Sequence, residues 1–196
     1  MSRFPRTSTN KSSEPGADRA GAPTSRARRP AGAPALRIIG IDPGLASVGY
    51  GVVESKAGRL RYLRHGCIVT PKESAIGSRL LAIFAAISDL IEEWEPDEAG
   101  MEALYFWKNV TSAISVSEAK GVIRLAFARA SVPLAEYSPT AIKQAVSGSA
   151  RADKAQVQEM VKIILGLDGI PKPDHAADAL AAAICHANHS GPLSRL

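Results

Sequence analysis

The longest run of regular apolar spacing lies between Ile76 and Trp94. Ile76, Leu80, Ile83, Phe84, Ile87, Leu90, Ile91 and Trp94 recur three and four residues apart, one stripe of an α-helix that Pro96 ends. The pattern before it is different. Leu36–Asp42 (LRIIGID) is a short continuous apolar run, as expected of a buried strand, and Asp42-Pro43-Gly44 breaks it. Ser47–Glu54 predicts a second strand, in which Gly49 and Gly51 leave room for close packing. Lys56-Ala57-Gly58 is a turn, and a third strand follows over Arg59–Thr70. Turns this short make the three strands antiparallel neighbours.

After the long helix, strands alternate with helices. A short strand is expected over Asp97–Ala103, a helix from Val110 to about Ala130, and a strand over Val132–Tyr137. Ser138 caps the next helix and Pro139 opens it. Val157, Met160, Val161 and Ile164 mark another, and the last runs from about Asp174 to Ala187. The order β-β-β-α-β-α-β-α-α-α predicts an α/β domain, a mixed five-stranded sheet with helices on both faces. It suits a ribonuclease-H-like fold. The chain has no internal repeat and no run of about 18 apolar residues that could span a membrane.

Charge changes the picture at one end only. The chain has 196 residues with 24 basic and 19 acidic side chains, a formal net charge of +5. Residues 1–35 hold seven of the basic and two of the acidic groups, together with five of the 13 prolines. The remainder is therefore balanced, and net charge says nothing about nucleic-acid binding by the folded part. We expect a disordered basic tail over 1–35, one domain over 36–190 and a short tail over 191–196. The N-terminal tail is either without consequence or a loose arm attracted to phosphates; its repeated Pro and Gly argue against an amphipathic transit peptide. Two cysteines cannot staple a domain of this size, so reduced thiols and a cytoplasmic setting are expected.

Candidate chemistry comes from carboxylates that interrupt apolar runs. Asp42 ends the first strand, and the carboxyl ends of strands in open α/β sheets are where ligands bind. Glu102 ends the strand after Gly100-Met101; if the two strands are neighbours, both side chains enter one crevice. In the last helix His175 and Asp178 are three residues apart and share a face, and the alanines around them allow close approach to the sheet. Three carboxylates and an imidazole suit a hard divalent cation, Mg²⁺ or Mn²⁺. Taken singly, Asp42 could instead cap the Pro43-Gly44 turn and Glu102 could be an edge charge. Asp174 reads as the helix N-cap rather than a ligand. Cys185 and His189, four residues apart, are a conceivable zinc pair, but a buried inert thiol is the default.

Three segments carry a resemblance. IIGIDPGLASVGYGVVE with its leading Arg37, Gly100-Met101-Glu102-Ala103-Leu104-Tyr105, and His175-Ala176-Ala177-Asp178-Ala179-Leu180-Ala181 resemble, in order, the motifs of the RuvC family of Holliday-junction resolvases. The resemblance covers about Leu36 to Ala187. It implies a homodimer that binds four-way DNA junctions and nicks two strands of like polarity with Mg²⁺, or Mn²⁺ in its place. It also implies the RuvA–RuvB branch-migration complex as a partner. Carried over, the catalytic and metal residues are Asp42, Glu102, His175 and Asp178, and His175 stands where many members have aspartate. Two cations about 3.5–4 Å apart would activate water and stabilise the leaving 3′-oxygen, giving 5′-phosphate and 3′-hydroxyl ends.

The resemblance also implies DNA contacts by Tyr105, Lys143 and Lys154, and Phe106 and Lys108, next to Tyr105, are expected DNA contacts from the residues themselves. On the residues alone, the aromatic group Tyr105-Phe106-Trp107 beside Lys108 suits either base stacking or packing into a core or interface, and the two later lysines read as solvated helix residues. Gly121, inside a helix, permits close approach either to the sheet or across a dimer two-fold. Two other classes compete with a nuclease. A junction-binding module without activity would not need all four ligand positions filled, and an actin-like phosphotransferase would need a second, duplicated domain.

Overall fold

The computed structural model describes residues 35–103 and 110–190. The element order is β1 (Leu36–Asp42), β2 (Ser47–Lys56), β3 (Arg59–Val69), α1 (Ile76–Trp94), β4 (Glu98–Glu102), α2 (Val110–Arg129), β5 (Leu134–Tyr137), α3 (Pro139–Ser147), α4 (Lys154–Leu165) and α5 (Asp174–His189). This is the order expected, with ends displaced by a residue or two. The expected tails and the aromatic group at 105–107 with Lys108 lie outside the described residues.

The strands form one sheet in the order β3-β2-β1-β4-β5. β1, β2 and β3 pair antiparallel, while β1 with β4 and β4 with β5 pair parallel. Ala57 and Gly58 of the β2–β3 hairpin both take left-handed backbone, φ 50° and 78°, as a two-residue turn between twisted strands requires.

Each face of the sheet has its own core. On one, Ile39, Ile41, Val52 and Met101 pack with Ile83 and Ile87 of α1 and Ile123 and Phe127 of α2. On the other, Ile38 and Val53 pack with Ile142 of α3, Val161 of α4 and Leu180 and Ile184 of α5. With helices on both sides, β1 has no solvent face, which is why its sequence is continuously apolar. The α1 stripe is buried in its second half, whereas Ile76 at its start is 50% exposed. Ser138 caps α3 by accepting from the Ala141 N–H, with Pro139 behind it, as expected.

α5 lies directly on the sheet. A Cβ at Gly40 would overlap the Ala179 carbonyl and Ala183, and one at Gly49 would overlap the His175 carbonyl. The glycines of β1 and β2 and the alanines of α5 therefore set the helix–sheet spacing together. One expectation is corrected here: the N-cap of α5 is Pro173, and Asp174 is the first helical residue with no capping hydrogen bond. Its carboxylate turns instead to Lys172 Nζ at 3.2 Å and Lys154 Nζ at 3.4 Å. A proline N-cap has no side-chain acceptor, so the acidic group serves the helix end through charge alone. At the far end of α5 the buried His186 is satisfied, Nε2 by Glu98 Oε2 and Nδ1 by the Tyr137 hydroxyl, each at 2.9 Å.

Candidate active site

Parallel pairing of β1 with β4 places Ile41 opposite Met101, so Asp42 and Glu102 follow side by side at the carboxyl ends of adjacent strands. Side chains alternate along a strand. Gly40 and Gly100 lie against α5, so Asp42 and Glu102, two residues on, share that face. α5 brings its first turn to the same place. The His175 backbone rests on Gly49, and His175 Nδ1 lies 2.6 Å from Asp42 Oδ2. Ligand atoms of Asp42, His175 and Asp178 all lie within 4.8 Å of one another, the one such group among the described residues. Glu102 is not part of that trio. It stands beside it, near enough for Asp42 and Asp178 to act on its charge.

The electrostatics are those of anions brought together away from water. Burial and then the neighbouring charges of Asp42 and Asp178 push the Glu102 carboxyl up to about 7. Burial also raises Asp42; the His175 hydrogen bond opposes that rise and Asp178 adds to it. Oxygen-rich donors with one imidazole, held against their own repulsion, have the chemistry of a site for a hard divalent cation. The cluster therefore fits a metal ion, whose charge would offset the repulsion by Asp42 and Asp178 that adds to burial in raising the Glu102 carboxyl.

Lys154 belongs to this site. Its Nζ lies 3.1 Å from Asp178 Oδ2 and 3.4 Å from Asp174 Oδ2, and these two carboxylates raise its pKa against the opposing effect of burial. Asp153 caps α4 in a reciprocal pair with Gln156, which fixes the helix start from which Lys154 projects. Lys143 is half-buried on α3, and among the described residues no contact joins its ammonium to the carboxylates. Two features escaped the sequence reading. Lys120 of α2 is buried and donates to the Glu102 carbonyl from the opposite face of the sheet. Its place beside Ala119, three residues before Ile123 on the buried face of α2, was the available signal. Lys172 is the second cation on Asp174.

Cys185 and His189 lie together, with His189 Nδ1 3.7 Å from Cys185 Sγ. His189 Nδ1 bonds the Cys185 carbonyl at 2.7 Å, and burial pushes the Cys185 thiol up to about 11. Among the described residues no helix is long and apolar enough to cross a membrane.

The family model described as Crossover junction endodeoxyribonuclease RuvC matches residues 38–186. A crossover junction endodeoxyribonuclease RuvC from Treponema denticola is 56% identical over 151 residues, covering 77% of this chain and 85% of the relative. The structure of Thermus thermophilus RuvC superposes with a TM-score of 0.74 at 34% identity, covering 79% of this chain and 95% of that one. The same T. thermophilus protein in complex with a Holliday junction substrate gives a TM-score of 0.73 at 31% identity over the same shares. A match of that extent, over a ribonuclease-H-like sheet with the acidic cluster at its carboxyl edge, makes the chain a member of the RuvC family of crossover junction endodeoxyribonucleases.

Proposed function

We propose that this chain resolves four-way DNA junctions by metal-dependent hydrolysis, nicking two strands of like polarity and leaving 5′-phosphate and 3′-hydroxyl ends. The observation that carries the reading is the convergence of Asp42, His175 and Asp178 within 4.8 Å, beside a Glu102 held at about 7. These four residues would hold Mg²⁺, with Mn²⁺ as substitute. The cations would supply positive charge at the scissile phosphate, a more acidic attacking water and stabilisation of the leaving oxygen. Asp42, at the carboxyl end of the central strand β1 and flanked by both His175 and Glu102, would be the group best placed to serve both ions. His175 stands where an aspartate would add a negative charge, so the site carries three carboxylates and an imidazole. Lys154, tied to Asp178 and Asp174, offers its remaining N–H to a phosphate oxygen next to the cluster.

Tyr105, Phe106, Lys108 and Lys143 are assigned to the DNA. The first three follow Glu102, the last residue of β4, by three to six positions in the chain. Stacking of Tyr105 or Phe106 against unpaired bases would hold an opened junction. A homodimer is supported by α2: a Cβ at Gly121 would meet nothing within 4 Å, so this glycine is not spent on packing against the sheet. Ile114 and Leu125, 58% and 59% exposed, flank it on the same helix. The domain assignment, 36–190, follows the same reading, as does partnership with the RuvA–RuvB branch-migration complex.

The test is a cleavage map on a synthetic four-way junction labelled in each strand in turn. Paired nicks at symmetric positions, dependent on Mg²⁺ and ligatable without end repair, are expected. Leu125→Asp should yield a monomer by sedimentation and unpaired nicks. Metal-independent cleavage, or binding without cleavage in Mg²⁺ and Mn²⁺, would favour a junction-binding module instead.

A further inference from the structure

We propose that Lys120 is a positioning residue for Glu102, fixing the end of β4 and thereby the aim of the Glu102 carboxylate. The inference rests on Glu102 being a metal ligand. Lys120 is 4% exposed, and a buried ammonium is costly unless its protons find acceptors. Two of them do. Nζ lies 2.9 Å from Glu136 Oε2 and 3.3 Å from the Glu102 carbonyl oxygen. Glu136 is in turn held by Arg124, whose Nε reaches Oε1 at 2.8 Å.

What makes this more than an ion pair joining α2 to β5 is the carbonyl. Glu102 is the last residue of β4, where the chain leaves the sheet. The peptide unit that follows it is tied at both ends. Its carbonyl accepts from Lys120, and its N–H, that of Ala103, donates to the Tyr137 carbonyl at 2.8 Å. A peptide plane fixed at both ends fixes the ψ angle of Glu102, and with it the direction of Cα–Cβ. Groups that orient a ligand from behind in this way are a recurrent part of metal sites. Lys120 also places positive charge behind three carboxylates, and it is one of the two cations that hold the Glu102 carboxyl down against burial. It does this from the α1–α2 face, without standing in the path of substrate on the α5 face.

The test measures Mn²⁺ binding to the metal-stripped full chain by electron paramagnetic resonance, independently of cleavage. Lys120→Met should weaken Mn²⁺ binding about ten- to hundredfold, with junction affinity unchanged in EDTA. Lys120→Arg, which can still donate to both acceptors, should recover most of it. In a Glu102→Gln background, Lys120→Met should add no further loss, because its effect passes through that side chain. Parental Mn²⁺ binding by Lys120→Met overturns the proposal, as does an equal loss with and without Glu102→Gln, the mark of a scaffold role alone. Glu136→Gln, which loosens the lysine from its anchor, makes the same comparison if Lys120→Met does not fold. Unaltered Mn²⁺ binding by Glu102→Gln alone would remove Glu102 from the metal site, and the lysine's role with it.

Discussion

Glu102→Gln should make the metal-free protein more stable at alkaline pH while abolishing cleavage. The carboxyl is held at about 7 in the folded chain against an ordinary 4.5, first by burial and then by Asp42 and Asp178. A folded-state pKa above the unfolded one means that the native protein binds this proton more tightly. Stability attributable to Glu102 is therefore complete below pH 4.5 and is lost as pH rises toward 7, opposite to a salt-bridged carboxylate. A displacement of that size corresponds to a ceiling of about 3 kcal/mol above pH 8. For a domain of this size that is about 6–12 °C in Tm. Glutamine keeps the shape and removes the charge. Thermal melts in EDTA should coincide for parent and variant near pH 4.5, diverge through pH 7 and stay separated at pH 8.5. Saturating Mg²⁺ should then raise the parent's Tm at pH 8.5 by more than the variant's, because only the parent has a Glu102 charge to relieve. Parallel pH profiles, with a constant gap or none, would refute the argument that Glu102 is a strained carboxylate waiting for a cation.

Other outcomes follow from the same geometry. His175→Asp, which replaces an imidazole by an oxygen ligand, should shift metal preference toward Mg²⁺ over Mn²⁺; a variant whose single-turnover rates match the parent's in both metals would remove His175 from the ligand set. Gly49→Ala would push its new Cβ into the His175 carbonyl, so about 1–3 kcal/mol of stability and at least tenfold in cleavage rate should be lost together, read by urea melts and nicking assays. Removing residues 1–34 takes away the chain's excess positive charge, and the salt dependence of non-specific DNA binding should become shallower; an unchanged slope would show that those charges never reach DNA.

The fold was legible because β1 betrays its burial. Its apolar run has no polar alternation, which demands cover on both faces, and short turns then leave little choice for β2 and β3. Asp42 and Glu102 could be paired in advance, since both end strands in the parallel part of the sheet. The role of Asp174 was not legible, because N-cap residue preferences do not reveal that Pro173 holds that position or that two lysines claim the carboxylate. Lys154 reads as a solvated helix residue until α4 and α5 are packed together. α2 hides its own logic: Lys120 is buried while Ile114 and Leu125 face outward, so apolar periodicity does not mark the face that matters. Only the contact with the Glu102 carbonyl shows why a lysine is there.

The central claim is that the cluster around Asp42 cuts junction strands and that binding is a separate property. Asp42→Asn, assayed with the parent on one labelled four-way junction in Mg²⁺, tests it most directly. Junction affinity by gel shift should stay within about threefold, because phosphate contacts come from basic groups, while cleavage falls by several orders of magnitude. Near-parental nicking by Asp42→Asn in metal-replete buffer would contradict the account.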